Sequence, residues 1–279
     1  MRVHYYYQSN IGNFREKNED NLFINGVIRP INEQIFEREG IAKFINSTYG
    51  VFDGMGGESC GEQASYIAAK TLKKYKKSRI EVEVNEFLQD ANEHICDYTV
   101  SENLSRCGST AALIQFRHGV AQATNIGDSR VYFFRGGKLR QLTHDHTEYQ
   151  QKIDIGVDAE GGAVSPSLKS VLTQFLGLFP DEMILEPYSS KKIAVKAGDI
   201  FMLCSDGLYG KQSMEDLEEQ FNNMQTLAEL GKSMIRSALD RRERDNITVA
   251  LIEVISEEIT YSEIFTETLN QWKMKLKRN

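Results

Sequence analysis

The chain has 279 residues, 41% of them hydrophobic, with 33 Lys plus Arg against 40 Asp plus Glu and a net charge of −7. That apolar content excludes a disordered chain, and the acidic balance argues against a nucleic-acid footprint spread over the whole surface. No apolar run reaches the ~18–20 residues of a bilayer span, the N-terminus lacks a signal peptide's apolar core, and the four cysteines have no metal-type spacing; the expectation is a soluble, cytoplasmic protein with reduced thiols.

Val3, Tyr5 and Tyr7 alternate with His4 and Tyr6 and predict a first strand. Gly12 and Asn13 mark a turn, and Leu22 to Ile24 resume an apolar strand. Between them lie Arg15, Asn18, Glu19 and Asp20, a cation and two carboxylates that read first as a solvated loop. Pro30 and Gly40 suggest an irregular hairpin over 26–48. Tyr49, Val51 and Phe52 predict a short buried strand that ends at Asp53. Gly54, Gly56 and Gly57 follow, and glycines there let backbone carbonyls and amides come close to a bound group. An acid at a strand end beside bare backbone suits a hard cation. On this stretch alone an ordinary Gly-rich turn reads equally well.

Two amphipathic helices are predicted over 58–77 and 85–103. Four strand-like segments follow, 109–116, 120–125, 130–135 and 138–142, and read as an antiparallel meander. Asp128 sits in one of its turns, NIGDSR, where a plain turn aspartate is the simpler reading. Residues 143–170 are polar and Gly-rich and read as a mobile flap. Its His144 and His146 lack further His or Cys neighbours, so a structural or surface role is expected rather than a metal site. Ile200–Cys204 predicts a buried strand ended by Ser205-Asp206-Gly207, the Asp53 pattern again. Helices over 213–222 and 226–241 lead to Asp245-Asn246 and a last strand, 247–254. Residues 256–279 read as an added helical extension whose basic end, KMKLKRN, is a solvated helix terminus. The order of elements fits one α+β unit over 1–255, with two packed antiparallel sheets and a helix pair outside each.

Asp53, Asp206 and Asp245 each stand at a corner, Asp-Gly or Asp-Asn, joined to an apolar strand. If those strands are neighbours, the three carboxylates share one end of the core, with Glu19, Asp20 and Asp128 as further candidates. Gathered like charges raise each other's pKa values unless cations neutralise them. Oxygen-only ligation favours Mg²⁺ or Mn²⁺, and the lack of accompanying His or Cys argues against zinc. Two metals bridged by one Asp, ~3.5–4 Å apart, can activate a water for in-line attack on phosphorus. Arg15 would offer a forked cation to the phosphate oxygens.

Seven segments, REKNEDN, VFDGMGG, GSTAA, NIGDSRVY, LTHDHT, LCSDGLYG and RDNITVALIEV, occur in the order seen in the PPM family. These are the metal-dependent, type 2C protein serine/threonine phosphatases, and the resemblance covers about residues 8–255. It implies an αββα sandwich and a bacterial-type enzyme acting on phosphoserine or phosphothreonine in proteins, substrates of a serine/threonine kinase. It implies that Asp53 bridges two metals, that Gly54 gives its carbonyl to one, and that Asp206 and Asp245 ligate the other. Glu19 and Asp20 match the acidic pair that binds a metal or its waters, and Asp128 the ligand of a third, weaker metal. Arg15 matches the phosphate-binding arginine, and Asn246 a residue that orients the site.

The sequence departs from the pattern in three places. Met55 replaces the His of eukaryotic DGHGG and cannot donate a proton; Glu58 stands where bacterial relatives often have His. The flap lacks the family's usual helical pattern. A catalytically silent member acting as a phosphoprotein-binding regulatory module would show a lost ligand, and Asp53, Asp206 and Asp245 are all present. Another two-metal phosphoesterase, such as a nuclease, is disfavoured by the absent basic groove.

Overall fold

The computed structural model describes residues 1–44, 46–55, 60–77, 83–157 and 164–256. Gly56, Gly57 and Glu58 of the glycine loop, part of the flap, and the extension 257–279 lie outside them. The chain opens with β1 (Arg2–Asn10), β2 (Asn21–Ile24), β3 (Val27–Ile28), β4 (Ile35–Lys43), β5 (Asn46–Phe52) and the short β6 (Gly54–Met55). Helices α1 (Gly61–Lys77) and α2 (Val84–Ser101) follow. Then come β7 (Gly108–Ser109), β8 (Ala111–Arg117), β9 (Val120–Ile126), β10 (Arg130–Arg135), β11 (Lys138–Gln141) and α3 (Glu148–Asp154). The last part holds β12 (Tyr188–Ser189), β13 (Ile193–Ala194), β14 (Ile200–Cys204), α4 (Asp206–Tyr209), α5 (Met214–Asn222), α6 (Leu227–Asp240) and β15 (Ile247–Ser256).

Among the described residues the strands form two large antiparallel sheets and a two-stranded ribbon, β6-β7. One large sheet runs β11-β10-β14-β15-β1-β4 and the other β12-β9-β8-β5-β2-β3, with β13 also on β9. The run Ile200–Cys204 is apolar throughout because both its faces are covered. Phe201 and Leu203 point between the sheets, where Tyr7, Val51, Ile114, Val131 and Ile252 meet them. Met202 and Cys204 point outward against Leu230 and Met234 of α6 and Phe221 of α5. On the other sheet Phe23, Phe52 and Leu113 face Leu72 of α1 and Phe87 and Ile95 of α2. Each such large apolar side chain contributes ~1.5–3 kcal/mol on full burial. The result is the expected four-layer αββα sandwich. Helix starts are fixed locally: Ser213 and Asp216 form a reciprocal cap on α5, and Thr226 caps α6 by accepting from the Glu229 N–H at 3.2 Å.

Three expectations are corrected. The segments 109–142 are not one meander: β8–β9 belongs to one sheet and β10–β11 to the other. The chain crosses between sheets at Gly127-Asp128-Ser129. Residues 26–48 are not an irregular hairpin; β4 is a regular nine-residue strand paired along all of β1. The flap is not bare loop: Thr147 caps α3 by accepting from the Gln150 N–H at 3.1 Å, and Pro166–Ser170 makes a 3₁₀ turn.

Candidate functional site

Strand register brings the acids together. In one sheet Asn21 opposes Phe52 and Ala111 opposes Ile126, so Asp20, Asp53, Thr110 and the Asp128 corner share one end. In the other, Asn10 opposes Ile247 and Arg130 opposes Cys204, which brings Asn246, Ser205 and Ser129 to the matching end. Asp206 opens α4 directly after β14, and Asp245 immediately precedes Asn246.

Asp20, read from sequence as part of a solvated loop, is buried at 1% exposure. Its Oδ2 accepts from Ser205 Oγ and from Thr248 Oγ1, both at 2.7 Å, while its Oδ1 is buried without a partner. Asp206 likewise carries a buried, unpartnered Oδ1. Burial pushes the carboxyls of Asp20 and Asp206 up to about 7, with Asp245 adding to both. Asp53 lies well above the ordinary carboxylate range, first through burial and then through Asp20, Asp206, Asp245 and Asp128. Asp128 is raised by burial and by Asp206 and Asp145, and Glu19 by burial, partly offset by Arg15. Asp20 and Asp128 lie beneath, whereas Asp53, Asp206, Asp245 and Glu19 keep some exposure. Asp206 and Asp53 are also within side-chain hydrogen-bonding reach of each other, although among the described residues no three such groups close on a single point.

The backbone around Asp53 is held closely. Its N–H donates to Thr110 Oγ1 at 3.0 Å, its carbonyl accepts from Thr110 N at 2.8 Å, and Thr110 Oγ1 meets Ser129 Oγ at 2.7 Å. Thr110 thus couples Asp53 to the Asp128 corner. Gly54 packs so tightly that a Cβ would lie 2.1 Å from the Gly61 carbonyl oxygen and 2.6 Å from that of Glu19. Asn246 pins the acid loop: its Oδ1 accepts from Glu19 N at 2.8 Å, and its Nδ2 donates to the Ile11 and Lys17 carbonyls at 2.8 and 2.9 Å. Arg15 is half-exposed and donates from Nη2 to Asp245 Oδ2 at 2.7 Å. His144 and His146 take structural places: His144 Nε2 meets Asp154 Oδ2 at 2.8 Å, and His146 Nδ1 accepts from Gly127 N at 3.1 Å.

Sequence reasoning missed Arg29, and missed Ser205 and Thr248 as the partners of Asp20. Arg29 is fully buried, and its guanidinium donates to the carbonyls of Asp20 (2.8 Å), Asn18 (2.7 Å) and Glu33 (2.5 Å). Nothing in NGVIRP signals this, because the Asn18 and Asp20 carbonyls belong to a separate loop and even the nearby Glu33 is met through its backbone.

A buried set of oxygen donors, two of them orphaned, fits oxygen-ligated divalent cations. The chain is 28% identical over 260 residues to the serine/threonine phosphatase stp of Listeria monocytogenes serotype 4b, covering 90% of this chain and 96% of that one. It is 29% identical over 213 residues to the protein phosphatase PhpP of Streptococcus pneumoniae, covering 74% and 85%. The fold matches the serine/threonine phosphatase PstP/Ppp of Mycobacterium tuberculosis with a TM-score of 0.73 at 26% identity, over 91% of this chain and 100% of that one. It also matches a PstP catalytic domain in complex with 2 manganese ions, with a TM-score of 0.71 at 27% identity, over 92% and 100%. The Protein phosphatase 2C family model matches residues 9–247. Since that match runs from the end of β1 to the first residue of β15, and so takes in the helix pairs and the acid-bearing ends of both sheets, the chain belongs to the protein phosphatase 2C family.

Proposed function

We propose that the protein hydrolyses phosphoserine and phosphothreonine in proteins with Mg²⁺ or Mn²⁺ held among these acids. The observation that carries this reading is the pair of orphaned oxygens, Asp20 Oδ1 and Asp206 Oδ1, inside a mutually interacting set of carboxyls. Asp53 would bridge two cations, with the Gly54 carbonyl, Asp206 and Asp245 completing their protein ligands. Glu19 and Asp20 would serve the same cations or their waters, and Asp128 a third, weaker one. Bound divalent cations supply charge stabilisation at phosphorus and an acidified water. Arg15 spends one of its five N–H donors on Asp245, which leaves others for a phosphoryl oxygen. Ser205, Thr248 and Arg29 hold the acid loop, so the cations meet a backbone already in place. Met55 carries no proton to give, so the leaving alkoxide must take one elsewhere. A relative in complex with 2 manganese ions supports the metal dependence.

We also infer that residues 1–255 form the catalytic unit with 256–279 added to it, and that the enzyme reverses a serine/threonine kinase in a bacterial cytoplasm as part of signalling. No described helix is long and apolar enough to cross a membrane. The test is phosphate release, with and without Mn²⁺, from a phosphothreonine peptide, a phosphotyrosine peptide and single-stranded DNA. Mn²⁺-dependent turnover of the phosphothreonine peptide, well above the other two, is expected. Equal turnover of all three, or turnover that survives chelation, would contradict the reading.

A further inference from the structure

Three segments that border the acids are knitted into one ledge. Gly12 packs on the Asp245 carbonyl, and Asn13 Nδ2 donates to the Leu239 carbonyl at 3.3 Å, which joins the Arg15 loop to the end of α6. Lys211 Nζ donates to the Arg242 carbonyl at 3.3 Å, and Arg241 Nη1 donates to the Lys211 carbonyl at 2.8 Å. Glu243 lies close enough to Asp206 to raise its carboxyl. The ledge therefore stands at the edge of the acid cluster, not on a remote face.

Its exposed side chains are unusual for a chain with a net charge of −7. Lys211, Arg242 and Arg244 are exposed, and the two arginines have no ionic or hydrogen-bonding partner for their guanidinium groups among the described residues. Arg241 is accounted for: it caps α6 and pairs with Asp216 at 2.9 Å. Phe14, 54% exposed, lies in the same ledge beside Arg15. With Arg15 paired to Asp245 and Arg241 to Asp216, the ledge's remaining exposed cations are Lys211, Arg242 and Arg244, against the exposed Glu16 and Asp240 and the half-buried Glu243. Among the described residues, two arginines without partners, a lysine held only by a carbonyl and an exposed aromatic ring on one ledge suit an extended peptide that carries negative charge.

We propose that this ledge selects substrates, favouring phosphopeptides with acidic residues flanking the phosphorylated side chain. The proposal rests on the phosphatase reading for what is cleaved, but the ledge's charge preference can be measured without cleavage. Two labelled phosphothreonine peptides, one with Glu flanks and one with Ala flanks, are titrated by fluorescence anisotropy and also assayed for phosphate release. The Glu-flanked peptide should bind, and show a KM, about five- to tenfold tighter, as a few exposed ion pairs allow. The Lys211→Gln/Arg242→Gln variant should bring the two peptides within about twofold of each other, since it removes charge while keeping most of each stem. Its kcat/KM on a small aryl phosphate should stay at the wild-type value. Equal binding of both peptides by the wild type, a preference that survives in the variant, or tighter binding of the Ala-flanked peptide would overturn the ledge. If neither peptide is hydrolysed, the phosphatase reading fails, while the anisotropy difference still decides the ledge.

Discussion

Arg15 illustrates how one side chain can serve two partners. Its bond to Asp245 Oδ2 joins groups with side-chain exposures of 46% and 31%, and such pairs contribute ~1 kcal/mol or less to stability. Its larger value would lie with the phosphoryl group, where a hydrogen bond between charged partners contributes ~1.5–3 kcal/mol. Arg15→Ala should therefore raise KM for a phosphopeptide about tenfold or more and lower kcat, with Mn²⁺ affinity nearly unchanged. Lost metal affinity by calorimetry, with KM unchanged, would remove Arg15 from the substrate side. Arg29 is the opposite case, since none of its guanidinium bonds reaches a carboxylate. Arg29→Met leaves the carbonyls of Asn18, Asp20 and Glu33 without this donor, at ~1–3 kcal/mol each where no water replaces it. Urea unfolding should show a loss of ~3 kcal/mol or more, and Arg29→Lys, with an ammonium in place of the planar fork, should restore only part. A Met variant as stable as the wild type would show that the loop holds itself.

At the level of elements, the Asp128 corner matters because it is where the chain leaves one sheet for the other. The corner is held by atoms other than its carboxylate. Tyr209 Oη donates to the Asp128 carbonyl at 2.8 Å, and His146 N–H donates to the Gly127 carbonyl at 3.1 Å. Asp128→Ala should therefore leave the melting temperature nearly intact, while turnover of a phosphopeptide falls far more than turnover of an aryl phosphate, whose leaving group needs no acid. Equal losses on both substrates, together with a lower melting temperature, would make Asp128 a structural corner only. How far such features were legible depends on where their causes lie. Continuous apolar runs such as Ile200–Cys204 announce strands covered on both faces, and Ser213 and Thr226 announce helix starts, because those causes are local. β4 did not announce itself: as an edge strand it alternates Phe36 and Ala42 with exposed charges and carries Gly40 at mid-strand. The crossing at Gly127 looked like a hairpin turn because strand partners are set by distant residues. Gly231, inside α6, costs ~1 kcal/mol against alanine by propensity alone. Its reason appears only in three dimensions, where a Cβ would lie 2.1 Å from the Tyr6 ring. The acids at strand ends were legible as types and positions; the burial of Asp20 was not, since Ser205, just past β14, and Thr248 of β15 reach it from distant parts of the chain.

Across the whole molecule, the packing that makes the sandwich also stores charge at one end. In the metal-free protein Asp20 and Asp206 stand at about 7, above the ordinary carboxylate value of 3.8. A carboxyl raised in the folded state contributes stability that is complete below its unfolded pKa and is lost as pH rises through the folded one. The melting temperature of metal-free protein should therefore fall from about pH 4 to about pH 7 and level off above that. Divalent cations bind the ionised acids and release protons, so the upward shift produced by Mn²⁺ should grow over the same interval. Calorimetric scans with chelator and with Mn²⁺ check both; a metal-free melting temperature that climbs across the interval would contradict the charge assignment.

The central claim is that acids gathered by strand register hold the cations that hydrolysis needs, with Asp53 between them. The most direct measurement is a calorimetric titration of Mn²⁺ into the wild type and Asp53→Asn, with phosphate release from a phosphothreonine peptide recorded on the same samples. Asparagine keeps the shape of Asp53 but removes the charge needed to hold two cations. The account predicts tight Mn²⁺ binding and turnover in the wild type, and loss of both in Asp53→Asn, whose circular dichroism and cooperative unfolding stay those of the folded protein. Near-wild-type turnover by Asp53→Asn at saturating Mn²⁺ would contradict it.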